Sequence, residues 1–144
     1  MIKLNILYKD ALENANKSVR LLNSSINKYE PYVESKEYSD DELEYYDALS
    51  DRFLRTIEMC TRLIKTWELF NFGTNSLTLR DTLHRAEKNN LIQSTSDWME
   101  MKQLRNKIAY EYLPDEIGFY YEQINEKYAE QISFFIDRIN QLDI

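Results

Sequence analysis

Apolar residues recur along most of the chain at steps of three and four positions, the spacing that keeps one face of an α-helix apolar. The first series predicts a helix that ends near Pro31, because proline lacks the amide donor that a continuing helix needs. The N-terminal part of the chain is therefore predicted to be one amphipathic helix. Its apolar positions are Leu4, Leu7, Ala11, Ala15, Val19, Leu22 and Ile26.

A second and longer helix is predicted to begin after Ser39. The run from Ser39 to Glu42 has the form of a capping box, in which the serine hydroxyl and the glutamate carboxylate each satisfy a free amide at the helix start. The helix is predicted to stop near Gly73, because glycine readily adopts the left-handed backbone that ends many helices. Its apolar positions are Tyr46, Leu49, Phe53, Ile57, Cys60, Ile64 and Trp67.

Three further helices follow from the same kind of signal. Thr78 with Asp81 predicts the cap of a short third helix, which frays at Asn89 and Asn90. A fourth helix is predicted to begin at Ser94 or Ser96 and to end at Pro114 and Asp115. The third carries Leu79, Leu83 and Ala86, and the fourth carries Trp98, Met101, Leu104, Ile108 and Tyr112. The fifth carries Ile117, Tyr121, Ile124, Tyr128, Ile132, Phe135, Ile139 and Leu142.

The composition agrees with an all-α fold. Only two Gly and two Pro occur among 144 residues, too few for a turn-rich β architecture. There is no internal repeat, no Ser/Gly-rich linker and no low-complexity segment. We therefore expect residues 1–144 to form a single up-and-down bundle of four or five helices.

The charge limits the classes of partner. A net charge of −7 argues against a general nucleic-acid coat, although a local basic groove stays possible. Cys60 is the only cysteine, so an intramolecular disulfide is excluded, and the residue is expected to be a small buried hydrophobe. The sequence has neither a signal peptide at its start nor a membrane-spanning apolar stretch, so we expect a cytoplasmic protein.

Arg105 falls on the apolar side of the fourth helix, together with Trp98, Met101 and Ile108. A buried unpaired charge costs on the order of several kcal/mol, so this guanidinium needs a carboxylate, a water-filled cleft or a partner chain's groove. Periodicity alone favours a structural arginine whose stem packs on the core while its head reaches an acid. A functional role is the alternative.

The local sequence favours a functional role for Arg105. It runs Met101-Lys102-Gln103-Leu104-Arg105-Asn106-Lys107-Ile108-Ala109-Tyr110-Glu111-Tyr112. This segment resembles the signature of the HEPN family, in which an Arg, often followed by a polar residue, precedes a His by a few positions. The helix order and the motif's late place in the fourth helix also fit. The resemblance implies a homodimer that cuts RNA without metal or cofactor, at an interface cleft and through the ribose 2′-hydroxyl.

Arg105 and Asn106 match the family's Arg and its polar neighbour, but Tyr110 stands at the position of the His. A phenol with an ordinary pKa of about 10 is a poor general base at neutral pH, where imidazole is near its optimum. Either the natural protein is a degenerate subunit that binds and scaffolds, or the chain is a detoxified variant in which one change replaced the His. Tyr110 lies five residues after Arg105, so their side chains point to different faces of a straight helix. A site that contains both requires the helix to end there or a second subunit to contribute one of them.

Tyr112 matches a tyrosine that lies two residues beyond the His in one branch of the family. In modules that resemble this one, a minimal nucleotidyltransferase (MNT) attaches AMP to that tyrosine and silences the toxin. A bulky anionic adduct on Tyr112 would lie on the same helix face as Arg105 and block the cleft. The modification site is thus expected even where the catalytic base is lost.

Other residues are weighed against plainer roles. Charges of alternating sign on the second helix usually mark a solvated face with weak ion pairs, and this is expected for Arg62 and Lys65. The sharper interpretation places Asp51, Arg55 and Glu58 beside the motif, where an acid orients Arg105. His84, the only histidine, is a surrogate base only if its helix lines the cleft, and a metal site is not supported. The paired tyrosines suit a protein interface and also stacking with bases, and the acidic charge of the chain favours the interface. They are Tyr45, Tyr46, Tyr120 and Tyr121.

Taken together, these features predict a HEPN-type toxin of a prokaryotic toxin–antitoxin module. The chain is expected to be a homodimer, to associate with an MNT-type nucleotidyltransferase, and to take RNA as its substrate if it is active. The alternative is a non-catalytic scaffold subunit that binds the nucleotidyltransferase. An unrelated helical bundle with a coincidental motif is a third possibility.

Overall fold

The structure, a computed structural model, describes residues 2–110 and 117–142, and of residues 109 and 110 it describes the backbone only. These residues form helices without any strand, which confirms the all-α class. The predicted closure at Pro114 and Asp115 lies outside the described residues. The helices are α1 (Ile2–Ile26), α2 (Asp40–Phe72), α3 (Leu79–Lys88), α4 (Thr95–Tyr110), α5 (Ile117–Gln123) and α6 (Ala129–Asn140), with a π-helical turn (Ile124–Tyr128) between the last two.

The ends of α2 form as the sequence predicts. Ser39 Oγ accepts a hydrogen bond from the Glu42 amide at 3.2 Å, and Glu42 Oε1 accepts one from the Ser39 amide at 3.2 Å, so the capping box is complete. Gly73 ends the helix with φ 79°, and its amide donates to the Leu69 carbonyl at 2.9 Å. The cap of α3 is also confirmed, since Thr78 Oγ1 accepts from the Asp81 amide at 3.1 Å.

Helix α2 is the centre of the bundle and contacts α1, α3, α4 and α5. Its buried apolar side chains meet those of the other helices in one core. In α1 the predicted stripe is wrong at one position: Leu7 is 57% exposed, and Tyr8 is buried instead against Phe70. Tyr8 lies four residues after Leu4 and three before Ala11, so both spacings suit it and its larger ring takes the buried place.

The predicted fifth helix corresponds to α5, the π-helical turn and α6, which follow one another without a break. A π-turn inserts one extra residue into a helix and shifts the face that follows. Here both Ile124 and Tyr128 remain buried, as do Ile132 and Phe135 after them. The buried apolar face therefore continues across the π-helical turn.

The paired tyrosines were predicted at a protein interface, and this is wrong for Tyr46, Tyr120 and Tyr121, which are buried within the chain. The Tyr46 ring stacks on Tyr121 with centroids 4.9 Å apart, and its hydroxyl donates to the Glu30 carbonyl at 2.6 Å. The Tyr45 hydroxyl donates to the Ser25 carbonyl at 2.9 Å. These phenols satisfy carbonyl groups near the end of α1 and in the segment after it.

Within residues 2–110 and 117–142, no helix combines the length and the apolar composition that a membrane span requires.

Candidate functional site

The Arg105 guanidinium is held between two helices. Its Nη2 forms an ion pair with Glu58 Oε1 of α2, and its Nη1 donates to Asn106 Oδ1 at 2.9 Å. The Arg105 side chain is 24% exposed and that of Glu58 is 44% exposed, so the pair lies at the edge of the core and meets solvent. An ion pair that stays partly hydrated contributes little net stability, so its main effect is to position the guanidinium.

The local sequence explains why these two side chains meet. Met101 and Leu104 of α4 are buried, as is Ile57 of α2, and these residues anchor the contact between the two helices. Arg105 directly follows Leu104, and Glu58 directly follows Ile57. Each charged side chain therefore leaves the core at the line where α2 and α4 separate.

A cleft of about 340 Å³ opens in front of this pair. Among the described residues that line it, four side chains are cationic and one is acidic, although the whole chain carries a net charge of −7. Arg62 and Lys65 are exposed, as expected of a solvated face, yet they line the same cleft as Arg105. The lining residues are Ile57, Glu58, Thr61, Arg62, Lys65, Lys102 and Arg105.

Sequence reasoning missed Lys102 as a member of this site. Its position three residues before Arg105 places it on the same face of α4, one turn away, and that spacing was the available signal. That Arg62 and Lys65 face the same cleft depends on how α2 packs against α4, which no local pattern encodes. The local basic groove that the acidic composition left open is thus present between these two helices.

Of the three residues predicted beside the motif, the structure brings only Glu58 into contact with Arg105. Asp51 lines a neighbouring cavity together with Ile108 and Tyr120. Arg55 pairs with Asp51 at 3.2 Å and lines a pocket on the side of α1 instead of the Arg105 cleft. Asp51 lies one turn earlier on α2, and the ion pair draws the mostly exposed Arg55 side chain towards it.

The other predicted positions contribute less to the described site. Tyr110 is the last described residue of α4, and the structure describes only its backbone. Tyr112 lies outside the described residues. His84 is exposed on α3, where it lines a separate pocket with Asp81 and Lys88, and so does not reach the Arg105 cleft of its own chain. Cys60 is buried, and burial raises the pKa of its thiol, as expected of a residue that packs and does not react.

Glu68 of α2 is a buried carboxylate, and its surroundings are structural. Ser76 donates to it through its amide at 2.8 Å and its hydroxyl at 2.6 Å, and Thr82 through its hydroxyl at 3.0 Å. Asn75 donates at 3.3 Å, and Arg85 Nη1 lies 3.5 Å away. Glu68 is 0% exposed, so these contacts enclose it fully and join α2 to the start of α3. No cleft opens on this carboxylate in the described part of the chain.

The fold and the cleft together define a class: a helical bundle that presents a solvent-facing arginine and further cations between two of its helices. Comparison with protein families makes the class specific. The model of the family described as "Nucleotidyltransferase substrate binding protein like" matches residues 10–141, and the chain belongs to this family. The match confirms the HEPN resemblance drawn from the motif, and the family's description fits a nucleotidyltransferase as the kind of partner. A search of curated proteins found no match.

Proposed function

We propose that this chain is the HEPN-type toxin component of a prokaryotic toxin–antitoxin module, a homodimer that binds RNA in the Arg105 cleft and is controlled by an MNT-type nucleotidyltransferase. Family membership supports the nucleotidyltransferase as partner. The cationic cleft in front of Arg105 supports an anionic substrate. Substitution of the family's His by Tyr110 makes this form a weak nuclease or an inactive one.

The observation that carries the proposal is the state of the Arg105 side chain. It is anchored by Glu58 and Asn106, yet it lines an open cleft, and its buried Nε–H has no acceptor among the described residues. A purely structural arginine satisfies its donors inside the protein. Nη1 and Nη2 each carry a second N–H besides the one directed at Asn106 or Glu58, and a phosphate oxygen in the cleft could accept from these remaining donors.

Metal-free RNA cleavage needs little else from the protein. The ribose 2′-oxygen attacks phosphorus and gives its proton to a base, while the bond from phosphorus to the 5′-oxygen breaks and that oxygen takes up a proton. Arg105 would stabilise the negative charge that builds on the phosphate oxygens in the transition state. The base in this scheme lies at or near position 110, in the same subunit or in the second one.

Cleavage assays test this proposal. Purified wild-type chain, Tyr110→His and Arg105→Ala are incubated with unstructured RNA, with Arg20→Ala as a control at an exposed arginine of α1. Tyr110→His is expected to cut faster than wild type. Adding Arg105→Ala to it is expected to reduce the rate by roughly 100-fold or more, the usual effect of removing a transition-state donor. If no form cuts RNA, the nuclease part of the proposal is wrong.

The second candidate function is a non-catalytic scaffold that binds the nucleotidyltransferase, and Tyr110 in place of the His favours it. Co-expression with a nucleotidyltransferase encoded beside this chain, followed by mass spectrometry in the presence of ATP, separates the two. A stable complex with an AMP adduct on Tyr112 supports the regulated toxin. A stable complex without an adduct supports the scaffold, and no complex contradicts both.

A further inference from the structure

Three of the four cations in the Arg105 cleft have no ion-pair partner among the described residues. Within that part of the chain, Glu58 is the only acid that lines the cleft, and it pairs with Arg105. The side chains of Arg62, Lys65 and Lys102 form no ion pair and no hydrogen bond with any described residue. Their mutual repulsion is therefore uncompensated within the described part of the chain, and an anionic ligand would relieve it.

This concentration of positive charge stands out in an acidic molecule. The chain has 25 acidic and 18 basic residues, so a surface chosen at random is negative. A second pocket, between α1 and α2, is also lined by cations and no described acid, but two of its three cations are engaged: Arg52 donates to the Leu21 carbonyl and to Ser25, and Arg55 pairs with Asp51. The Arg105 cleft differs because three of its four cations have no partner among the described residues.

The four cations are arranged as two pairs. Arg62 and Lys65 lie three residues apart on α2, and Lys102 and Arg105 lie three residues apart on α4. Three residues correspond to a rise of roughly 4.5 Å along a helix axis, so each pair offers two separated charges on one face. Because both pairs line one cleft, it can neutralise more than a single phosphate group.

We infer that Arg62, Lys65 and Lys102 extend the Arg105 site into a binding track for adjacent phosphates of a single RNA strand. The choice of RNA rests on the proposed function, whereas the need for several anionic groups rests on the charges of the cleft. Arg105 and Lys102 contact the phosphate nearest α4, and Arg62 and Lys65 contact the next one along α2. The track positions the strand and carries no base specificity.

The test measures binding of a fluorescein-labelled 2′-O-methyl oligouridylate of ten nucleotides by fluorescence anisotropy, as a function of salt. The 2′-O-methyl groups prevent cleavage through the 2′-oxygen, so binding is measured whether or not the chain is a nuclease. The variant is Arg62→Gln with Lys65→Gln. Its matched control is Lys9→Gln with Arg20→Gln, which removes the same two charge types from exposed positions of α1.

For a single strand, each phosphate contact adds about 0.7 to the slope of log affinity against log salt, which corresponds to roughly five-fold in affinity at 0.1 M salt. The cleft variant is therefore expected to bind about 20-fold more weakly and to lose about 1.4 from the slope, while the control keeps the wild-type values. Equal losses in both variants would show a diffuse charge effect and overturn the inference. No binding by wild type, as expected if the cleft takes an acidic protein segment, would overturn it as well.

These outcomes are separable from failure of the proposed function. RNA binding that depends on the cleft, in a chain that forms no complex with a nucleotidyltransferase, keeps this inference and removes the toxin–antitoxin assignment. A stable complex with the nucleotidyltransferase, combined with RNA affinity that is unchanged when Arg62 and Lys65 are replaced, removes this inference and keeps the toxin–antitoxin assignment.

Discussion

Two carboxylates of α2 show how surroundings decide whether a charged residue is structural or functional. Glu68 is fully enclosed and accepts hydrogen bonds from three residues, so nothing from outside competes for it. Glu58 is 44% exposed and touches Arg105 at the mouth of a cleft, where an anion can compete for the guanidinium. The first arrangement stabilises the fold, and the second leaves a charge available for a ligand.

Replacing Glu68 with Gln is expected to destabilise the protein by about 2–4 kcal/mol, because the amide cannot accept all the donors that the carboxylate accepts and Arg85 loses its counter-charge. Urea unfolding at pH 7 measures the loss. Glu44→Gln, at an exposed position of the same helix, is the control and should change stability by less than about 0.5 kcal/mol. A Glu68 variant as stable as this control would show that the hydrogen-bonded cluster makes no net contribution to the free energy of unfolding.

The same residue predicts a pH dependence. Burial raises the pKa of Glu68, but the hydrogen bonds from Ser76, Asn75 and Thr82 outweigh burial and hold the pKa below its usual range. A depressed folded-state pKa adds stability above the unfolded-state pKa, and this stability is lost as pH falls through the folded-state value. The stability difference between wild type and Glu68→Gln should therefore narrow on acidification from pH 7 to pH 3. A difference that stays constant over this range would contradict the assigned cause.

At the scale of the elements, the helix ends were the most predictable part of the fold. The capping box at Ser39 and the glycine stop at Gly73 are local signals, since each depends on atoms within a few residues of the helix end. The spacing of apolar residues placed the helices, but it could not choose between Leu7 and Tyr8 in α1. Nor could it show that Tyr46 and Tyr121 stack on each other within the chain, because that contact depends on tertiary packing.

Gly73 gives a direct test of the end of α2. Its φ of 79° lies in the left-handed region, and an added Cβ would meet no atom within 4 Å, so a substitution here changes backbone energy and little else. Gly73→Ala is expected to cost about 1–2 kcal/mol, the penalty of this conformation for an L-residue. Gly73→Asn should cost less, since asparagine tolerates the left-handed region. Urea unfolding gives both values, and an alanine variant as stable as wild type would show that the helix end can form another way.

At the scale of the whole molecule, the sequence led to the family and to Arg105, yet it did not reveal the cleft as a unit. Arg105 and Lys102 are neighbours on one helix face, whereas Arg62 and Lys65 join them only through the contact of α2 with α4. On α2 alone, alternating charges are typical of a solvated surface, and that interpretation hides a second role. Local patterns thus identified the helices, and tertiary contacts were needed to identify the site.

The contrast between a positive cleft and a negative molecule predicts which nucleic acid binds. A single strand can place its phosphates in a cleft of about 340 Å³ lined by four cations, and the rest of the strand can bend away. A duplex is stiff and carries two rows of phosphates, most of which would face the acidic remainder of a chain with net charge −7. Repulsion along that surface opposes duplex binding even where one row touches the cleft.

An unlabelled oligouridylate and its duplex with oligoadenylate should therefore differ as competitors of the labelled strand at 0.1 M salt. The duplex is expected to compete at least about ten-fold more weakly, because it gains few cleft contacts of roughly five-fold each and meets repulsion elsewhere. Raising the salt concentration should narrow the difference, since screening weakens the long-range repulsion first. If the duplex competes as well as the single strand at every salt concentration, binding is not confined to the cleft, and another surface of the molecule must carry the contact.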